Sequence, residues 1–281
     1  MKIRLDLGIS PKIYPVGLFL TLLLLVPSIR LFFVNAGYRW LYILGLSFGL
    51  CFSTIPLLRR IAIKWKILDE PDHRKTHGSP TPLLGGCGVF LAFVLGILIN
   101  GIYSVELIVI LLASAIVFTV GIVDDIREIP ASIKLLIQLL SAGLVISFGI
   151  TVTVIPLSLG LIGKVGNIVL TLLWIIGITN AMNFLDGMDG AAAGTGAIIS
   201  FFLGILAFLT LQPFLGWVSL SMMGGCLGFL PYNLKMKEKA SIFLGDGGST
   251  FIGFVLATLA VYGDWWVGDT NPIVSFASPV L

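Results

Sequence analysis

The residues that could do chemistry in this chain are carboxylates, amides and lysines gathered at four places in an otherwise apolar sequence. The densest run is Asn180-Ala-Met-Asn183-Phe-Leu-Asp186-Gly-Met-Asp189-Gly190. No charge occurs from Val165 to Leu185 before it, nor from Ala191 to Leu234 after it. Two amides and two carboxylates beside hydrocarbon are costly, and such clusters in membrane proteins are functional by default. Asp186 and Asp189 stand three apart, so on a helical turn they share a face, and Gly187 and Gly190 leave that face uncrowded. The spacing is not that of a calcium loop, which needs more ligands and a closing Glu.

Three further stretches carry the same kind of residue. Asp69-Glu-Pro71-Asp72-His73-Arg74-Lys75-Thr-His77 leads through Pro80 and Pro82 to Gly85-Gly86. Arg74, Lys75 and His77 suit phosphate recognition, and a plain basic loop is the alternative. His73 and His77 alone make a weak metal pair. Asp124-Asp125 is followed by Lys134. Adjacent carboxylates repel unless a divalent metal or a lysine relieves them, and Lys134, after Pro130, can fold back toward them. The fourth stretch runs from Asn233 through Lys235, Lys237 and Lys239 to Phe243-Leu-Gly245-Asp246-Gly-Gly-Ser249. Glycines at a helix start resemble an anion nest, and Asp246 among them points to a metal bridging to phosphate. Phe243 suits stacking on a flat base, with core packing as the alternative. Hard oxygen ligands without a thiolate cluster suit Mg²⁺ or Mn²⁺.

What must position these residues is a membrane bundle. Of 281 residues 57% are hydrophobic and 11% charged, against roughly 25% charged in soluble domains. Mean hydropathy is +1.07. The net charge of +3 argues against a nucleic-acid partner. Cys51, Cys87 and Cys226 lack ligand-like spacing and read as small apolar residues. The first apolar run is long and lacks a clear cleavage site, which argues against a cleaved signal peptide. Apolar runs fall near 13–33, 40–58, 84–100, 105–123, 133–150, 167–179, 191–211, 214–232, 248–263 and 271–281. They predict nine spans and a truncated tenth, helical because lipid leaves the backbone no other partner. The expected fold is therefore an all-α polytopic membrane protein, a single domain over 1–281 of about ten transmembrane helices with cytoplasmic active-site loops. Of the 17 Lys and Arg only Arg30, Arg39 and Lys164 fall outside when the N-terminus is cytoplasmic. That orientation also sets all four polar stretches on the cytoplasmic side. Residues 151–166 alternate β-branched residues and could form a small outer hairpin.

Taken in order, the loop with Arg-Lys-x-His and Gly-Gly, the Asp-Asp pair, Asn-x-x-Asn-x-x-Asp-Gly-x-Asp-Gly and Phe-Leu-Gly-Asp-x-Gly-Ser resemble a known family. It is that of the polyprenyl-phosphate N-acetylhexosamine-1-phosphate transferases of the WecA, TagO and MraY type, and the likeness covers roughly residues 45–265. The resemblance implies transfer of a sugar-1-phosphate from a UDP-sugar to an undecaprenyl-type phosphate in the cell (inner) membrane, with release of UMP. It implies Asp246, together with Asp186, as Mg²⁺ ligands, and Asp124 and Asp125 at the reacting phosphates. Lys134 would neutralise phosphate charge. Asn180, Asn183, Asp189 and Asn233 would hold nucleotide or metal, and Phe243 would stack on uracil. Asp124 and Asp125 are open to two roles, general base or orienting group. The Arg74-Lys75-x-His77 loop looks closer to the GlcNAc branch than to the MurNAc-pentapeptide branch. The expected partners are the UDP-sugar, the polyprenyl-phosphate lipid and the membrane, with a homodimer left open.

Family members carry a His-rich loop after the next helix. The sequence stops at Leu281 inside that helix, so the expectation is a fold lacking this motif, and an inactive remnant is one rival reading. A CDP-alcohol phosphatidyltransferase is another: Asp186-Gly-Met-Asp189-Gly190 fits its opening, but the following Arg and later Asp pair are missing. A transporter is the third, opposed by charges that gather at one face while the spans stay clean.

Overall fold

The structure is a computed structural model that describes residues 9–70, 80–234 and 239–265. It is an all-α polytopic membrane protein with, among the described residues, ten α-helices: α1 Ile13–Leu24, α2 Pro27–Asn35, α3 Arg39–Trp65, α4 Gly85–Asn100, α5 Val105–Ile126, α6 Ala131–Ser147, α7 Leu161–Leu185, α8 Ala191–Leu209, α9 Pro213–Asn233 and α10 Gly245–Tyr262. Five of these, α3, α5, α7, α8 and α9, are long and apolar enough to cross a membrane. α4 and α6 are shorter apolar helices. The expected first span is two helices bent by 72°. Pro27 is the cause: it starts α2 but supplies no N–H to continue α1. The run 271–281 lies outside the described residues.

Two other expectations are corrected. α7 is longer than the 167–179 run, because Lys164 and Asn180 are tolerated at its two ends. Asn180 and Asn183 are therefore still helical. Asp186 follows the last turn, and Asp189 lies in the short α7–α8 turn rather than on a helix. Residues 151–166 form no hairpin. A single 3-10 turn at Leu157–Leu159 interrupts them, and the stretch is tied to α7 instead. Asn167 accepts from the Ile155 N–H (2.9 Å) and donates to its carbonyl (3.0 Å), while Thr171 accepts from Val152 (3.0 Å).

α10 is the hub. Fifteen of its residues are buried, with α5, α7, α4 and α8 against it. α9 crosses α3 closely because Gly224 and Gly228 present bare backbone. A Cβ at Gly224 would lie 2.5 Å from the Leu44 carbonyl oxygen. Ser47 and Ser221, 2.9 Å apart, and the Phe93 carbonyl, which accepts from Ser221 at 3.1 Å, join α3, α9 and α4 inside the apolar core. Cys51 and Cys226 are buried and Cys87 half-buried, as free thiols. Strands β1 (Leu68–Asp69) and β2 (Thr81–Pro82) pair antiparallel, Leu68 with Pro82 and Asp69 with Thr81. They close the base of the first polar loop.

Candidate active site at one end of the bundle

Four sequence-distant segments reach the same end of the bundle and enclose a cavity of about 1120 Å³. The α3–α4 connection contributes Asp69, Glu70 and Thr81. The end of α5 contributes Asp124, Asp125 and Glu128. The α7–α8 turn contributes Asn183, Asp186 and Asp189. The approach to α10 contributes Lys239, Phe243 and Asp246. The gathering has a local cause in each segment. Pro130 ends the α5 run and starts α6 one turn later, so Lys134 comes back beneath Asp124. The residues before α10 run alongside the entry to α4: Phe243 N–H donates to the Pro82 carbonyl (2.8 Å), and the N–H groups of Gly85 and Gly86 donate to the carbonyls of Phe243 (3.0 Å) and Leu244 (2.8 Å).

Lys134 is the centre of charge. Its Nζ lies 2.7 Å from Asp124 Oδ2 and 3.2 Å from Asp246 Oδ2, joining α5, α6 and α10. Asp124 Oδ1 accepts from the Ile129 N–H at 2.7 Å, which fixes the turn after α5. Asp125 acts on a helix end. Its Oδ1 accepts from the Asp246 N–H (2.7 Å) and its Oδ2 from the Gly247 N–H (3.2 Å). A carboxylate from α5 thus caps the N-terminus of α10 from outside the chain segment, where free N–H groups and the helix dipole favour negative charge. Gly245 makes this possible, with φ +80 and no Cβ, since a Cβ there would come 2.6 Å from Asp125 Oδ2. Asp186 is half-buried, and its carboxyl sits well above the usual carboxylate range. Burial is the main cause; the charges of Asp125 and Asp246 add to it, and the Gly245 backbone N–H opposes it.

Asn233 reaches the site but not the cavity wall. It is buried at 4% exposure. Its Oδ1 accepts from the Gly190 N–H (2.6 Å) and its Nδ2 donates to the Ile242 carbonyl (3.0 Å). It braces the α7–α8 turn against the segment before α10. Asn180 is likewise outside the wall: its Nδ2 donates to Gln138 Oε1 (2.7 Å) and to the Ile176 carbonyl (2.8 Å). Gln138 is a polar residue that the motif reading missed. Buried one turn beyond Lys134, it lines a small cleft with Lys134, Asp246 and Thr250. Its signal was available, an amide inside an apolar helix at i+4 from a lysine. Arg74, Lys75 and His77 lie outside the described residues.

Eight carboxylates line the cavity, Asp69, Glu70, Asp124, Asp125, Glu128, Asp186, Asp189 and Asp246, and Lys239 stands among them. Such a wall fits divalent cations with hard-oxygen preference. Among the described residues no group of three or more His, Cys, Asp or Glu side chains forms a ready-made metal cage. Mg²⁺ does not require one, because it is held by one or two carboxylates with water and substrate phosphate.

A model of the glycosyl transferase family 4 matches residues 107–264. Over 216 residues the chain is 36% identical to the probable undecaprenyl-phosphate N-acetylglucosaminyl 1-phosphate transferase of Bacillus subtilis, covering 74% of this chain and 58% of that protein. It is 33% identical to the decaprenyl-phosphate N-acetylglucosaminephosphotransferase of Mycobacterium leprae, covering 90% of this chain and 70% of that protein. It is 32% identical to the phospho-N-acetylmuramoyl-pentapeptide-transferase of Prochlorococcus marinus, over 73% and 62% respectively. The chain thus spans less than two thirds of the length of two of these three relatives. The matched region contains Asp124, Asp125, Lys134, Asp186, Asp189 and Asp246, the residues that meet around the cavity, and the chain belongs to glycosyl transferase family 4.

Proposed function

We propose that the chain transfers a sugar-1-phosphate, GlcNAc-1-phosphate in first place, from a UDP-sugar to a polyprenyl phosphate and releases UMP. The cavity end would face the cytoplasm and the protein would lie in the inner membrane. The observation that carries this reading is the meeting of Asp124, Asp246 and Lys134 from three helices at the mouth of a membrane bundle, the two carboxylates lining a cavity large enough for a nucleotide sugar and the lysine bound behind them. One substrate is soluble and the other lipid-bound, so chemistry at the bundle end gives access to both. The names of the relatives support the lipid phosphate acceptor and the GlcNAc-phosphate donor group.

In this reaction an oxygen of the lipid phosphate attacks the β-phosphorus of the UDP-sugar. The bond from that phosphorus to the UMP oxygen breaks, and UMP leaves with the electron pair. Positioning and charge neutralisation dominate such transfers. Lys134 would place a positive charge at the reacting phosphates while keeping Asp124 and Asp246 in register. Asp125 would hold the first turn of α10, and so Asp246, in place. Both oxygens of Asp124 and of Asp125 already accept hydrogen bonds, which supports the orienting role over the base role. A base is also less needed, since a phosphate monoester has a second pKa of about 6 and is mostly dianionic at neutral pH. Asp246 and Asp186 would hold Mg²⁺, which when bound supplies charge neutralisation to the pyrophosphate and the leaving UMP. Phe243, in the cavity wall, would stack on uracil, and Asn183 and Asp189 would contact nucleotide or metal.

The test is incubation of the purified chain with undecaprenyl phosphate, Mg²⁺ and labelled UDP-GlcNAc, with UDP-MurNAc-pentapeptide in a parallel arm. Lipid-extractable label and equimolar UMP are expected from UDP-GlcNAc. Label that stays aqueous in both arms, or release of CMP from a CDP-alcohol donor instead, would sink the reading.

A further inference from the structure

Lys134 is only as well placed as the helix that carries it, and α6 is sparsely held. Of its 17 residues four are buried, Gln138, Ser141, Ala142 and Val145, while Leu136 and Leu140 stand exposed. Three of the four are small or short, so packing keys α6 weakly to its neighbours. Between helices in lipid, a slide along the axis exchanges one apolar contact for another. Gln138 is the exception. It is 5% exposed and lies one turn beyond Lys134, about 6 Å along the axis. Its amide pairs with that of Asn180 on α7: Asn180 Nδ2 donates to Gln138 Oε1 (2.7 Å), and Gln138 Nε2 returns a longer bond to Asn180 Oδ1 (3.4 Å). Asn180 is itself anchored, since its Nδ2 also donates to the Ile176 carbonyl one turn back (2.8 Å). Among the described residues this pair is the one side-chain hydrogen-bonded join between α6 and α7.

The position of this join gives it a use. On α6 it lies one turn from Lys134. On α7 it lies three residues before Asn183 and six before Asp186, both in the cavity wall. It thus ties the helix that carries the cation to the helix that leads into the α7–α8 turn. Hydrogen bonds are directional where apolar contacts are not. A slide of α6 by one residue, about 1.5 Å, would break both bonds and leave the buried Gln138 amide unpaired. Fixing register is the best-attested use of a buried polar pair. We propose that Gln138 is a positioning residue: through Asn180 it sets the register of α6 on α7, and so holds Lys134 at a fixed place relative to Asn183 and Asp186, a role that rests on the transfer reaction proposed above. Misplacing a group at a reacting centre by about an ångström can cost on the order of 10²-fold in rate. The nucleotide sugar would be held by α7 and the segment before α10, so the loss belongs to kcat rather than to KM.

The experiment is a double-mutant cycle on the full chain in detergent, with initial rates normalised to folded protein. Gln138→Met keeps the length of the side chain and its helix propensity but makes neither hydrogen bond. It should lower kcat by about ten- to a hundredfold and leave KM for UDP-GlcNAc little changed. In an Asn180→Leu background the same substitution should lower kcat no further, because the partner is already gone. An unchanged kcat in Gln138→Met, a loss carried by KM alone, or equal losses in the two backgrounds would overturn the positioning role. Hydrogen–deuterium exchange of the substrate-free protein supplies a readout that needs no turnover. Gln138→Met and Asn180→Leu should each speed exchange in the first turns of α6. If the unmodified chain transfers nothing, the proposed function fails and exchange decides the positioning role, which equal protection of α6 in Gln138→Met and the unmodified chain would overturn.

Discussion

Lys134 touches two carboxylates that would otherwise face each other, so its removal has a double effect. Lys134→Met should lower transfer activity by about 10²- to 10³-fold, the usual loss for one preorganised charge at a reacting centre. It should lower Tm as well, because Asp124 and Asp246 lose their shared cation. A variant with full turnover would show that the lysine is only structural. Asp125 predicts a different pattern. Asparagine has one acceptor where the carboxylate has two, so Asp125→Asn should destabilise by about 1–3 kcal/mol through an orphaned N–H, with the shape of the pH–rate profile unchanged. Loss of the acidic limb of that profile would restore the base role. Asp186 makes stability depend on pH. Its carboxyl is raised in the fold, so the folded state holds a proton that the unfolded chain has released. That contribution is complete below the ordinary carboxylate range and is lost as pH rises through the folded value. Without divalent cation Tm should therefore fall as pH rises above the ordinary carboxylate range, and Mg²⁺ should restore it at the upper end. A cation-independent, flat Tm would count against metal binding here.

At the scale of elements, the entry to α10 decides the geometry. Gly245 combines a left-handed φ with contact to the Asp125 carboxylate, so Gly245→Ala should uncap the helix and abolish activity. Circular dichroism should still show a helical protein, since the long spans are untouched. Retained activity would mean that the cap has slack. The same elements show what sequence could and could not reveal. The four polar stretches were legible because any charge stands out in a hydrocarbon-matched chain. The 72° break before α2 was hidden in one continuous apolar run, since hydropathy averages over Pro27. The length of α7 was underread because Lys164 and Asn180 look like ends, yet end residues extend into the interface. The hydrogen-bond partners of Asn233 and Gln138 were not legible, because they lie across the fold: Gly190 and Ile242 for one, Asn180 for the other.

For the whole molecule, the consequence of convergence is topological. Met188 lines the cavity and is 62% exposed. Leu159, 55% exposed, precedes the other end of α7, whose 25 residues extend about 37 Å. Single cysteines at these positions should react with a membrane-impermeant maleimide from opposite sides, and the proposed orientation puts Met188→Cys on the cytoplasmic one. Buried Cys51 and Cys226 should contribute little background. Labelling of both from one side would refute the arrangement. The all-round burial of α10 carries one more implication, for biosynthesis. The element that four others enclose emerges from the ribosome after every one of them. Its neighbours must wait in the bilayer around a space not yet filled, with Asp125 lacking the N–H groups it will later hold.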